Sequence, residues 1–172
     1  MPKPNIISTH LKEIVFGGTD GIVTTFAVVA GYTGAGETSM GKIPIVAVVI
    51  FGLANLFADG FSMALGNFLS LEVERDLDKT KRRISNIPAA AFTFISFIAF
   101  GIIPLLPYLV NTAPEGRFLY SITTTLFALL LLGFLRLKVT HKSIQRAVGE
   151  TVLVGGTAAT VAYLVGLLFR NR

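Results

Sequence analysis

Five long stretches of this chain carry almost no charged side chains, and they restrict the folds that the chain can adopt. A helix needs about 20 mostly apolar residues to cross the roughly 30 Å hydrocarbon core of a membrane. Each stretch is close to that length, so the 172 residues predict an all-α polytopic membrane protein. Residues 1–172 are expected to form a single transmembrane domain. Its five transmembrane helices are predicted at residues 14–36, 43–71, 88–110, 118–135 and 150–169.

The composition excludes several other classes of protein. Hydrophobic residues make up 52% of the chain and charged residues only 15%, whereas soluble domains average about 25% charged residues. We therefore exclude a soluble enzyme, and we expect no nucleic acid as a partner. The net charge of +5 does not indicate a nucleic-acid partner, because the basic residues lie mostly on one side of the predicted bundle.

Lys and Arg are unevenly divided between the two sides of the predicted bundle. Eleven of the fifteen fall on the side of the N-terminus and four on the other side. Because cytosolic loops carry the excess of Lys and Arg, we predict a cytosolic N-terminus and a C-terminus on the opposite side. The basic run Lys79–Arg83 is expected to lie near anionic headgroups, so membrane lipid is a predicted partner. The small size favours a prokaryotic plasma membrane over a vacuolar membrane.

Two carboxylates interrupt the apolar stretches, Asp20 in the first predicted helix and Asp59 in the second. An ionisable side chain in the middle of a membrane costs about 2.5–3.5 kcal/mol on insertion scales. Such residues usually face a polar cavity and mark a pathway for ions or protons. We therefore interpret Asp20 and Asp59 as parts of a cation or proton site. The alternative is structural, with each Asp capping a broken helix or pairing with a polar neighbour.

Asp59 belongs to a polar stripe on the second predicted helix. Asn55, Asp59, Met63 and Asn67 follow one another at four-residue spacing, which places them on one helix face. Oxygen ligands suit hard divalent ions, and a thioether adds a preference for softer transition metals. Asp20, Asp59, Met63 and Asn67 are therefore the candidate metal ligands, for Fe(II) or Mn(II) rather than Ca(II). Plain packing is the alternative for Met63.

The first predicted helix also carries a face of small residues. Gly17 and Gly21 are in GxxxG spacing, and Gly31 lies on the same narrow face. Small residues of this kind let two helices approach closely in lipid. We therefore expect a homodimer packed through the first helix, with Asp20 beside the contact.

Four segments resemble the vacuolar iron transporter family of plants, fungi and prokaryotes. They are DGIVTTFAVVAGYTGAG, GLANLFADGFSMALGNFLS, PAAAFTFISFIAFGIIPLLPYLV and GGTAATVAYLVGLL. The resemblance implies a homodimer that exports Fe(II), and often Mn(II), from the cytosol in exchange for protons. It also implies an ion path at the dimer interface, lined at the positions of Asp20 and Met63. The metal would be cargo, and no permanently bound cofactor is expected.

The chain departs from this family at two places. Iron-storing members have a glutamate-rich cytosolic domain between the second and third helices, where this chain has only a short charged segment. Glu72, Glu74 and Asp76 in that segment are interpreted as a solvated helix end, with a weak cytosolic access site for metal as the alternative. The second departure is Asn67, which stands where plant members have a glutamate. The expected path therefore runs past Glu72 and Asn67, to Asp20 and Met63, and out past Asp59.

Two other functions remain as alternatives. One is a membrane protein of the same fold that no longer transports and binds only lipid or a partner. The other is a diaspartyl intramembrane protease, but the GxGD signature of such enzymes is missing around Asp20 and Asp59. Counting from the nearest charged residues also places the two carboxylates at depths about 9 Å apart, too far to share a proton. We therefore predict that the chain is not an enzyme.

Polar residues near the cytosolic helix ends are expected to have ordinary roles. His10 and His141 are interpreted as solvated residues at the membrane interface. Glu150 is expected to mark the membrane interface or to pair with Arg146, one helical turn earlier.

Overall fold

The N-terminal half of the chain forms two long helices joined by a small hairpin. A computed structural model describes residues 6–38, 41–77, 86–110, 116–140 and 144–170. Gly36 ends the first long helix with a positive φ of 55°, and its N–H donates to the carbonyl of Tyr32 at 3.1 Å. The elements of this half are α1 (Ile6–Thr9), α2 (Leu11–Ala35), β1 (Glu37–Thr38), β2 (Gly41–Lys42) and α3 (Ile45–Leu77).

The C-terminal half contains one interrupted helix and two continuous ones. Pro88 lies in the first turn of α4, where its missing N–H costs nothing. Pro104 and Pro107 follow the end of this helix and replace its last turns by a 3₁₀ turn and a short helix. The elements are α4 (Ile87–Gly101), the 3₁₀ turn Ile103–Leu105, α5 (Leu106–Leu109), α6 (Arg117–Thr140) and α7 (Ile144–Phe169).

Four segments of the described chain are long and apolar enough to cross a membrane. They are Leu11–Ala35, Ile45–Leu77, Ile87–Leu109 and Arg117–Arg136. The apolar part of α7, Leu153–Phe169, is shorter, but the whole helix has 26 residues and so measures about 39 Å. The predicted all-α polytopic membrane fold is confirmed. The small antiparallel β1–β2 hairpin, which the sequence analysis did not predict, is an addition to it.

Helix α2 is the centre of the bundle, because it contacts α3, α4, α6 and α7. Its buried Ile22 packs with Ala128, Leu129 and Leu132 of α6. Its buried Val29 belongs to a second cluster that contains residues of α3, α5 and the 3₁₀ turn. Because α2 lies at the centre, the other helices surround most of its circumference.

The helix ends differ from the predicted ranges mostly on the predicted cytosolic side. Helix α3 ends at Leu77 rather than at residue 71, and α7 begins at Ile144 rather than at residue 150. Helix α6 continues to Thr140, beyond the predicted residue 135. A helix does not need to stop where the hydrocarbon ends, so apolar length alone underestimates these three helices.

The small face of α2 is used inside one chain. A Cβ atom on Gly17 would lie less than 3.0 Å from the backbone carbonyl oxygen of Thr93. A Cβ atom on Gly21 would lie less than 3.0 Å from that of Phe97. These two glycines therefore let α4 approach α2. Gly31 faces the Ala162 carbonyl of α7, 3.4 Å from where its Cβ would be. These three glycines therefore serve helix packing within one chain, where α4 and α7 cover them, and a homodimer through this helix stays a prediction.

Candidate intramembrane carboxylate site

Asp20 and Asp59 each precede a glycine, and both glycines contact the same residue of α4. Gly21 faces the Phe97 carbonyl, and a Cβ on Gly60 would lie 3.1 Å from the Phe97 ring. Phe97 itself is fully buried between the helices. The two Asp-Gly pairs therefore flank one residue, which brings Asp20 of α2 and Asp59 of α3 into one region of the bundle.

The two carboxylates interact electrostatically. Asp59 lies near enough for its charge to act directly on Asp20, and both residues are partly buried. Within the described residues, neither carboxylate has a hydrogen bond or an ion pair. The expected depth difference of about 9 Å therefore does not separate them, because the glycines that follow them, Gly21 and Gly60, both contact Phe97.

The polar stripe of α3 lies at the edge of the buried face. Asn55, Asp59, Met63 and Asn67 are all partly buried. They run beside a buried row on α3 and face away from its exposed phenylalanines and leucines. The buried row comprises Val48, Gly52, Leu56, Gly60 and Ala64, and the exposed side includes Phe57, Phe61 and Leu65. The stripe therefore lies between the protein core and the membrane-facing surface.

Asn67 is held by α4. Its Nδ2 donates to the Thr93 hydroxyl at 2.8 Å, and that hydroxyl donates to the Ala89 carbonyl at 3.0 Å. The amide nitrogen is thus engaged between helices, and the amide oxygen is the Asn67 atom with ligand chemistry for a cation. Thr93 is fully buried, so this bond fixes part of the stripe against α4.

The candidate access residues lie at the end of α3 and do not converge on one point. Glu72 forms an ion pair with Arg75, while Glu74 and Asp76 are exposed. Among the residues that the structure describes, no three His, Asp or Glu side chains gather as they would around a metal ion. The basic run Lys79–Arg83 and His141 lie outside the described residues.

Glu150 has a different neighbour from the predicted one. Its carboxylate lies 3.9 Å from the Arg136 guanidinium of α6. The expected pairing with Arg146 concerns a side chain outside those that the structure describes. The observed approach connects the end of α6 to the beginning of α7.

Sequence analysis missed one carboxylate of this region. Glu13 is nine-tenths buried in the first turn of α2. It precedes Asp20 by seven residues, and this spacing places both on one side of the helix. That spacing was the available signal, but Glu13 sits outside the predicted helix beside the charged Lys12 and so resembles an ordinary interfacial residue.

Comparisons with known proteins agree with this architecture. A sequence profile of the VIT family matches residues 11–86 and 77–167. The chain is 27% identical to the vacuolar iron transporter of Plasmodium falciparum, over 97% of this chain and 85% of the relative. It is 25% identical to the vacuolar iron transporter of Toxoplasma gondii, over 96% of this chain and 76% of the relative. Against vacuolar iron transporter 1 of Arabidopsis thaliana the identity is 23%, over 94% of this chain and 86% of the relative.

The alignments also show where the relatives are longer. The Plasmodium alignment spans 237 positions, although this chain has 172 residues, so the relative has additional residues within the matched region. These additional residues are consistent with a cytosolic domain in the relative, in place of which this chain has only a short connection after α3. The relatives are named as transporters, which supports the prediction that the chain is not an enzyme. The predicted family is confirmed: this integral membrane protein belongs to the VIT family.

Proposed function

We propose that this protein transports a divalent transition metal, Fe(II) or Mn(II), out of the cytosol in exchange for protons. Relatives that cover nearly the whole chain are named vacuolar iron transporters. The observation that carries the proposal is the placement of Asp20 and Asp59. Both are partly buried, and the glycine that follows each of them contacts Phe97. Two neighbouring carboxylates inside a membrane bundle are a suitable site for a divalent cation.

The order of polar residues along α3 supports a path for the ion. From the predicted cytosolic end, Glu72, Asn67, Met63 and Asp59 follow in that order. The metal passes Glu72 and Asn67, is bound between Asp20 and Met63, and leaves past Asp59. Met63 supplies a soft sulfur ligand, which favours Fe(II) or Mn(II) over Ca(II).

Protons compete with the metal for the same carboxylates. A carboxylate must be deprotonated to bind metal, so metal binding releases protons and proton binding releases metal. A higher proton concentration on the far side therefore favours metal release there. This competition is the basis of the proposed exchange.

We also propose that the protein is a homodimer. Because Gly17 and Gly21 pack against α4, the second copy contacts other parts of α2 and α3. A mass measurement of the protein in lipid nanodiscs should give two copies. A single copy would contradict the dimer without affecting the metal site. For localisation we propose the plasma membrane of a prokaryote.

A flux measurement tests the transport function. The purified protein is reconstituted in liposomes, and uptake of Fe(II), Mn(II), Co(II) and Zn(II) is followed with and without an acidic interior. We expect Fe(II) or Mn(II) to enter faster than in protein-free liposomes, and the acidic interior to accelerate the uptake. Uptake equal to that of protein-free liposomes for all four metals contradicts the proposal and favours a non-transporting protein that binds lipid or a partner.

A further inference from the structure

Glu13 is an enclosed carboxylate that the proposed metal path does not use. Only 11% of its side chain is exposed, whereas the side chains of Glu72 and Glu150 are 37% and 60% exposed. Its Oε2 atom is buried and has no hydrogen-bond partner among the residues that the structure describes. Buried polar atoms normally have such partners, so an exception needs an explanation.

Helix α4 encloses Glu13, but its nearby hydroxyl is directed elsewhere. The Ser96 hydroxyl donates to the backbone carbonyl of Glu13 at 3.3 Å and to the backbone carbonyl of Thr93 at 3.1 Å. Gly17, one turn further along α2, allows this close approach of α4. Helix α4 therefore packs against the backbone of α2 at Glu13, and the buried Oε2 keeps an acceptor position.

His10 lies between this carboxylate and the end of the helix. Its Nδ1 is 3.9 Å from Glu13 Oε2, and 21% of its side chain is exposed. The ring stacks on Phe92 of α4 with centroids 4.4 Å apart, which holds the imidazole at the mouth of the enclosed region. A separation of 3.9 Å is longer than a hydrogen bond, and one water molecule or a small rotation can bridge it.

The other charged groups around Glu13 lie at a distance or on another side. Helix α4 has no charged residue between Ile87 and Gly101. Arg136 of α6 and Glu150 of α7 line a groove with Val15 and Thr19, and these two α2 residues lie on the opposite side of the helix from Glu13. On α3, Glu72 is paired with Arg75, and Glu74 and Asp76 are exposed at the helix end. Lys12, the neighbour of Glu13, is also exposed.

Glu13 and Asp20 share one side of α2. Their seven-residue spacing corresponds to about 10.5 Å along the helix axis. Between them lie Gly17 and the buried hydroxyls of Thr93 and Ser96. A change in the charge of Glu13 therefore changes the electrostatic potential at Asp20, because the protein interior between them screens charges weakly.

We propose that Glu13 binds the exchanged proton at the cytosolic end of the protein and that His10 passes it to water. This inference rests on the proposed metal–proton exchange. The O–H bond on Glu13 Oε2 breaks, neutral His10 accepts the proton at Nδ1, and the resulting imidazolium releases a proton to cytosolic water. Glu13 is then a carboxylate again, and no other reactant is needed. Histidine suits this role because it gains and loses a proton near neutral pH.

The test compares two glutamate variants in the same liposomes. The measured quantity is the ratio of Mn(II) uptake with an acidic interior to uptake without a pH gradient. We expect Glu13→Gln to lower this ratio to one while uptake driven by the metal gradient alone persists. Glu150→Gln, which removes an exposed carboxylate, should keep the wild-type ratio. A wild-type ratio in Glu13→Gln overturns the inference.

A second measurement does not depend on transport. Infrared difference spectra of the reconstituted, metal-free protein between acidic and neutral pH report the protonation of carboxyl groups. We expect Glu13→Gln to lose a carboxyl band that Glu150→Gln retains, and His10→Asn to slow the appearance of this band after a pH jump. Unchanged bands in Glu13→Gln overturn the inference even if that variant transports no metal. If the wild-type protein transports no metal, the proposed function fails, and the spectra still decide whether Glu13 binds a proton.

Discussion

At the scale of single residues, three positions on α2, Gly17, Gly21 and Gly34, have no room for a side chain. Gly17 and Gly21 each face a backbone carbonyl of α4, and a backbone atom cannot turn aside as a flexible side chain can. A Gly17→Ala substitution should therefore destabilise the protein by about 1–3 kcal/mol, as overpacking does in other proteins. Thermal unfolding in detergent measures this change.

The matched control for this prediction is Gly156→Ala on α7. No atom lies within 4 Å of a Cβ built at Gly156. The alanine should be neutral or should raise the stability by up to about 1 kcal/mol, because glycine is a poor helix former. Equal unfolding temperatures for Gly17→Ala and Gly156→Ala would show that the close contact between α2 and α4 does not contribute to stability.

The residue scale also shows how far the sequence predicts the site. Asp20 and Asp59 were identifiable because a carboxylate inside an uncharged stretch is conspicuous. Glu13 was not, because its burial depends on how α4 packs over the first turn of α2. The placement of Asp20 and Asp59 in one region likewise depends on the contact that Gly21 and Gly60 share with Phe97. Periodicity along one helix contains no information about either contact.

At the scale of helices, one side-chain hydrogen bond connects α3 to α4. Asn67 donates to Thr93 at 2.8 Å. Hydrogen bonds between membrane helices contribute about 0.6 kcal/mol on average and up to about 1.7 kcal/mol. A double-mutant cycle of Asn67→Ala and Thr93→Val should give a coupling free energy in this range when unfolding is measured in detergent.

The control for this cycle replaces Thr93→Val by Thr157→Val. Thr157 is exposed on α7, and its hydroxyl donates only to carbonyls of its own helix. The changes in unfolding free energy caused by Asn67→Ala and Thr157→Val should therefore be additive. Additive values for Asn67→Ala and Thr93→Val as well would mean that the bond makes no net contribution.

The positions of the helices were predictable from the sequence, but which helices pack against one another was not. Apolar length located every long helix, and the prolines explained the break after α4. The small face of α2 was correctly recognised as a packing face, but it was assigned to a second copy. Small residues permit close approach without specifying which helix approaches, so only the packed structure assigns this face to α4 and α7.

At the scale of the whole molecule, five crossings place the two ends of the chain on opposite sides of the membrane. The chain has no cysteine, so single cysteines can be introduced at the exposed Ser8 and Arg170. A membrane-impermeant maleimide should label Ser8→Cys only from the cytosolic side and Arg170→Cys only from the other side. Labelling of both variants from the same side would contradict the five-helix topology.

The central claim for the whole molecule is that the transported metal depends on both carboxylates, on Asp20 where it is bound and on Asp59 where it leaves. Mn(II) uptake into liposomes by Asp20→Asn and Asp59→Asn, compared with wild type and Glu150→Gln, tests it most directly. Because changes even to residues around metal ligands cost about 10–100-fold, each Asp variant should transport at least about tenfold more slowly. Glu150→Gln should transport like wild type. Wild-type uptake rates in both Asp20→Asn and Asp59→Asn would contradict the account.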